Sequence, residues 1–364
     1  MGRLSRARLA PRIKGRYSDI RQTASAAEFM NCHLLVPELF WPTAAGAEPY
    51  RGLALPALET LLARGARTRA AGASLERWLA AAHGLSAELP LAPYSLRGDG
   101  MEPGDHWWLH ADPVHLKVHG DRLVLADASR LALTAEEAHR YVATLNAHFA
   151  GEGMTFVAPH PQRWYGRVAA EPRLGTPPTA EVAGRSVASF LPAGGDGARW
   201  RKAVNEMQML LHEHPCNGAR EAGGHLPVNS IWLWGPGREG RLATPYGALW
   251  ADHPLVAGLG TASGIAARPL PASGALLNLR GGGTQLAVLA LLPPTAYGDL
   301  RQWREALAKL ERDWFSPLLD ALKRGALETL ALHGLGPDFS YVSETRPRDH
   351  WRFWRARRPL HAYV

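Results

Sequence analysis

The sequence predicts an α/β chain built on a doubly wound sheet, with a small α/β module inserted into it. Three observations carry that expectation. Short apolar strands alternate with amphipathic helices over most of the chain, the pattern of strands connected through helical crossovers. Between 107 and 158 several strands crowd around one helix, which breaks the alternation and marks a separate unit. The run Val228-Asn229-Ser230-Ile231-Trp232-Leu233-Trp234 ends in Gly235-Pro236-Gly237, a buried strand entering a glycine loop, the usual place for a ligand in a parallel sheet.

Taken in order, the elements follow from local signals. Residues 32–36, Cys-His-Leu-Leu-Val, read as a strand directly after Met30. Residues 55–65 read as a helix with Pro56 in its first turn and Gly65 at its end. Ser74 caps a second helix over 75–83. Residues 107–109, 114–118 and 122–125 read as short strands, the last two joined by the turn His119-Gly120-Asp121. Thr134 and Glu137 form a capping box that opens a helix to about His148, and 155–157 is a further strand. Residues 171–198 are rich in Gly and Pro and read as a return linker, followed by an amphipathic helix over 199–213. Strand 285–292, helix 300–324 and strand 327–332 complete the pattern. The expected division is a core of 30–100 and 199–340, an inserted module of 101–198, and a tail of 341–364.

Composition narrows the functional classes. Of 364 residues, 46% are hydrophobic and 20% charged, which fits a packed globular chain and not a disordered one. The longest apolar run, 286–292, is far short of the roughly 20 residues a membrane helix needs. Two cysteines cannot build a disulfide framework, so a reducing cytoplasm is the expected compartment. The net charge of +8 suggests nucleic acid until it is divided. Residues 1–29 carry seven Lys/Arg against two acids, residues 344–364 carry six Arg against two, and the body between them is −1. A neutral body with basic ends argues against a nucleic-acid-binding domain. Residues 1–29 read as a disordered basic arm or as sequence upstream of a start at Met30.

The segment His214-Pro215-Cys216-Asn217, with Arg220 and Gly224, continues through Pro227-Val228-Asn229 to Trp232-Leu233-Trp234-Gly235-Pro236-Gly237. It resembles the archaeal-type cofactor-independent phosphoglycerate mutases, which carry His-Pro-x-Asn-x-x-Arg-x-x-x-Gly and then Pro-Ala-Asn-x-x-Trp-x-Trp-Gly-x-Gly, with Val228 standing in place of the alanine. The 55–65 helix and the module from Trp107 to about Arg167 are similar to the family's corresponding segments. Residues 205–211 and the closing Trp351-Arg352-Phe353-Trp354-Arg355 resemble a proteobacterial branch described as RpfE-type regulatory or phosphoglycerate mutase-like proteins.

The resemblance implies an alkaline-phosphatase-like fold. It also implies a two-metal site, with Asp and His ligands at strand ends, for phosphoryl transfer. The sequence departs from that pattern. The first strand offers only Glu38 after Val36-Pro37, the later one offers only Asp299 beyond Pro293-Pro294, and the last presents His333 without a preceding Asp. These three are the candidates for a remnant metal site, with Mn, Zn or Mg as the ion if the site is active; otherwise no cofactor is expected.

His214, Asn217, Arg220 and Asn229 are the candidates for binding a small anion, since Arg clamps a carboxylate or phosphate through two parallel hydrogen bonds. A structural role for the same loop is the competing reading. His110, His115 and His119 cluster in sequence and read chiefly as strand and turn residues. The tail offers Arg348, Trp351, Arg352, Trp354 and Arg355, which suit an acidic protein partner or a strap packed on the core. The expected function is a phosphoglycerate mutase-like protein that has lost phosphoryl transfer and acts by binding or regulation. The alternatives are an active metal-dependent mutase or phosphatase with a relocated site, and a nucleic-acid-associated protein using its basic ends.

Overall fold

Residues 30–278, 283–292 and 295–364 are described by a computed structural model. The arm expected over 1–29 and the Pro293-Pro294 pair lie outside the described residues. The strands are β1 (Met30–Val36), β2 (Ala66–Ala71), β3 (Trp107–His119), β4 (Arg122–Ala126), β5 (Met154–His160), β6 (Arg163–Val168), β7 (Ser230–Gly237), β8 (Ala248–Trp250), β9 (Ala267–Arg268), β10 (Gly283–Val288), β11 (Thr329–Gly334) and β12 (Phe339–Thr345). The helices are α1 (Pro56–Arg64), α2 (Leu75–Ala82), α3 (Ala92–Gly98), α4 (Ala135–Phe149), α5 (Thr179–Val182), α6 (Gly197–His212), α7 (Pro215–Ala222), α8 (Pro254–Ala262), α9 (Leu300–Leu310) and α10 (Ser316–Lys323). None of the described helices is long and apolar enough to cross a membrane.

The first sheet runs β2-β12-β11-β1-β10-β8-β9. Its centre is parallel: β1 pairs with β10 on one side and β11 on the other. Alternation along β1 explains why it sits there. Cys32, Leu34 and Val36 face a core closed by α1, α9 and α10, while Leu35 faces the opposite core, closed by α2, α3 and α8. The edge strand β2 carries Arg67 and Arg69 and is exposed throughout, the usual protection of a sheet edge by charge.

The second sheet runs β4-β3-β6-β5, with β7 paired antiparallel to β3. This corrects the expectation that 228–234 belongs to the parallel core. Ile231 and Leu233 enter the module's own hydrophobic cluster beneath α4 and α6, while Trp232 and Trp234 point the other way, into the core that the first sheet shares. A strand covered on both faces reads as an unbroken apolar run whether its neighbours are parallel or antiparallel. The expected strands 107–109 and 114–118 are one strand, β3, continuous through His110–Pro113.

Two other differences have local causes. The expected helix 300–324 contains a wide π turn over Glu311–Phe315. That turn aims Glu311 at the start of α1, where its carboxylate accepts the N–H groups of Ala57 (2.6 Å) and Leu58 (3.1 Å). The expected tail over 341–364 begins later, because residues 339–345 form β12, antiparallel to β11. Ser343 and Thr345 on that strand are fully buried, and the Ser343 hydroxyl donates to Leu61 O.

Candidate functional site

The four candidates of the 214–229 segment bind the protein itself. His214 caps α7: its Nδ1 accepts from Cys216 N at 3.2 Å, which leaves the proton on Nε2 to donate to Thr144 Oγ1 at 3.0 Å. Asn217 donates to Leu211 O and Val228 O and accepts from Val228 N and the Tyr141 hydroxyl. Arg220 is buried and donates to Leu226 O at 2.9 Å, to Glu137 at 2.7 Å and to Leu131 O. Asn229 closes both of its bonds on the backbone of Leu116, at 2.7 and 2.9 Å. Together they bolt α7 and the start of β7 onto β3 and α4.

The strand-end candidates are also separated by their contacts. Glu38, at positive φ, accepts from the N–H and hydroxyl of Thr295, both at 2.8 Å. Asp299 caps α9 by accepting from Gln302 N at 3.0 Å. His333 is buried on β11 and meets His33 of β1, Nε2 to Nδ1 at 3.1 Å, with the rings stacked. Trp78 of α2 packs edge-on against His333, and Tyr246 packs edge-on against His33. Burial pushes His333 down to about 3 and His33 down to about 4, so both are neutral at physiological pH. His33 is a partner the sequence signals only as one imidazole inside an apolar strand. Among the described residues, no group of three or more His, Cys, Asp or Glu side chains is placed to hold a metal ion.

A different set of titratable groups does converge. A cavity of about 320 Å³ opens where β3 and β7 of the module meet α2, α3 and α8 of the core. His110 and Trp234 are direct cross-strand partners, and their rings stack at 3.9 Å with an interplanar angle of 2°. Two positions along β3, Asp112 accepts from Trp234 Nε1 at 2.7 Å and from Thr179 Oγ1 at 2.5 Å. Burial raises Asp112 to about 7, against the lowering pull of those two bonds, and the carboxylates of Asp127 and Glu76 add to the rise. Burial lowers His110 to about 3, helped by Arg163 and His253, and lowers His253 to about 4. Arg163 is held by a bidentate pair with Asp99. His115 and His119, neighbours of His110 in sequence, do not enter the cavity: His115 bonds Pro227 O at 3.0 Å, and His119 ends β3 on the surface.

The tail is tied down at both ends. Arg352 and Arg355 donate to the carbonyls of Arg64 and Gly65, and Leu360 and Tyr363 are buried in the core. Interleaved with the two arginines, Trp351, Phe353 and Trp354 stand 67%, 77% and 70% exposed.

No protein-family model matches the chain. A protein of Geobacter sulfurreducens named as a probable 2,3-bisphosphoglycerate-independent phosphoglycerate mutase is 34% identical over 94 residues, 24% of each chain. The 2,3-bisphosphoglycerate-independent phosphoglycerate mutase of Methanosarcina barkeri is 29% identical over 154 residues, 39% of this chain and 37% of that one. These matches span well under half the length of the relatives. A solved structure from Pyrococcus horikoshii aligns with 88% of this chain and 88% of its own, at 14% identity and a TM-score of 0.52. The fold is thus α/β and of the alkaline-phosphatase-like kind, and the chain is similar over part of its length to phosphoglycerate mutases.

Proposed function

We propose that this chain is a phosphoglycerate mutase-like protein that has lost phosphoryl transfer and works by binding, as a regulatory protein of the RpfE-type branch in the cytoplasm. One observation carries the reading. Glu38, Asp299 and His333, the candidate donors beyond β1, beyond β10 and on β11, are each engaged in a separate structural contact: a loop clamp, a helix cap and an imidazole pair. A divalent ion in a hydrolytic site needs about three converging protein ligands, and a two-metal site roughly doubles the demand. Dispersed donors supply neither Lewis-acid activation nor charge neutralisation. The exposed Arg348, Trp351, Trp354 and Arg355 of the tail, with the half-buried Arg352 among them, are the proposed contact for an acidic protein partner.

Metal titration tests the reading. Calorimetry of the purified chain with Mn, Zn and Mg is expected to show no stoichiometric binding that depends on Glu38 or His333. Stoichiometric uptake lost in Glu38→Ala or His333→Ala would favour an active metal-dependent mutase or phosphatase with a relocated site.

A further inference from the structure

Buried polar atoms in a folded protein are almost always hydrogen-bonded, so those without a partner call for an explanation. Among the described residues, ten buried side-chain nitrogen or oxygen atoms have none. Four of the ten belong to residues that line the cavity between module and core: Glu76 Oε2, both ring nitrogens of His110, and His253 Nδ1. His110 is only 4% exposed, so the solvent surface does not account for its two orphaned nitrogens. An unpartnered group in such a site bears the full cost of its lost hydration. Several around one cavity mark a place shaped for something other than the chain itself.

The chemistry of the walls narrows what that is. An acidic group, Glu76, Asp112 and Asp127, and a basic group, His110, Arg163 and His253, share the lining. They meet where His110 Nδ1 lies 3.8 Å from Asp112 Oδ1, too far for a hydrogen bond. Arg163 is already matched by Asp99, so the basic group offers N–H donors but no surplus charge for a bare anion. The acidic group offers carboxylate oxygens, one of them orphaned. A ligand of one net charge would leave part of this wall desolvated and uncompensated. A dipolar ligand satisfies both groups at once. The volume, at the low end for small-molecule sites, suits a molecule of a few heavy atoms.

We infer that this cavity binds a small zwitterion of amino-acid size, its carboxylate received by the imidazoles and Arg163 and its ammonium by Asp127 and Glu76. The orphaned atoms are shut from water in the free chain, so binding includes a small side-chain adjustment that opens them. The inference rests on the reading that the chain acts by binding, and it assigns that reading a ligand.

The twenty free L-amino acids, titrated calorimetrically into the intact chain, test it. For each binder the analogue lacking the ammonium and the analogue lacking the carboxylate are titrated beside it. At least one amino acid is expected to bind saturably, with both analogues weakened at least about tenfold, a loss of about 1.4 kcal/mol. Asp127→Asn, which keeps its turn bonds, and His253→Gln are expected to weaken the zwitterion by a similar factor while circular dichroism stays native. The inference is overturned if no amino acid binds below about 10 mM. It is equally overturned if the simple amine or the simple carboxylate binds as tightly as the zwitterion. Because both comparisons use the unmutated chain, a variant that fails to fold does not rescue it. Mutase turnover in a separate assay would sink the binding-only reading without touching the titration.

Discussion

At the scale of single residues, the chemistry-bearing types are all present, and their partners decide what they do. Arg220 shows this most clearly. In sequence it is a candidate anion clamp. In the fold its guanidinium joins Leu226 O, Leu131 O and Glu137, and Glu137 also completes the capping box of α4 with Thr134. Removing one member of a buried, hydrogen-bonded pair costs about 3 kcal/mol or more, since the remaining groups lose their partner. Arg220→Ala is therefore expected to lower unfolding free energy by about 3 kcal/mol in urea, with Arg220→Lys recovering little because one ammonium cannot span three acceptors. Unchanged stability in Arg220→Ala would return the residue to the ligand-binding candidates. Trp354 is the opposite case. At 70% exposure its replacement by Ala should change stability by less than about 0.5 kcal/mol, so a large loss would mean that the tail is a strap and not a contact surface.

Among the elements, those with a single dominant signal were legible in the sequence. Ser74 does cap α2 through Arg77 N, Thr134 and Glu137 do form the capping box of α4, and Pro56 and Gly65 do bound α1. What escaped had weak local signals and strong tertiary ones. β2 and β6 are held by their neighbours, β12 alternates polar residues that the core buries, and β7 is apolar on both faces for a reason no periodicity reveals. The cavity was least legible of all. Its residues come from separate segments, and of them only His110, in its histidine cluster, and Trp234, at the end of an apolar strand, carry a signal in the sequence. The crossing of α3 and α8, which helps frame the cavity through Ser95 and His253, is equally invisible in sequence. It is set by glycine: a Cβ on Gly258 would lie 1.7 Å from Tyr94 O, a backbone atom that cannot rotate away. Gly258→Ala is expected to force the helices apart and cost at least about 1–3 kcal/mol, read as a lower denaturation midpoint.

For the whole molecule, module and core share one apolar cluster, and neutral imidazoles are buried on both sides of their junction. This has a pH consequence. His33, His110, His253 and His333 have folded pKa values of about 3–4 against 6.5 when unfolded. The unfolded chain therefore binds protons more readily, and stability falls as pH drops from 6.5 towards 4, by on the order of 1 kcal/mol per pH unit for each imidazole. Asp112 acts in the opposite sense, because its raised pKa favours the folded state as pH falls from 7 towards 4, and burial raises Glu59, Glu76 and Glu311 in the same direction, while it lowers His83, His115, His160 and His214 alongside the four imidazoles. Urea midpoints at pH 7 and pH 5 should show the loss, and equal midpoints would mean that the imidazoles are solvated. The proposal that the chain acts by binding and not by phosphoryl transfer also belongs to the whole molecule, because it concerns how the strand ends are placed relative to one another. Its most direct test is phosphoglycerate mutase turnover by the purified chain with Mn, Mg, Zn or Co supplied in turn. The expected rate is indistinguishable from buffer with every ion, whereas turnover that chelation removes and that disappears in Glu38→Ala or His333→Ala would contradict it.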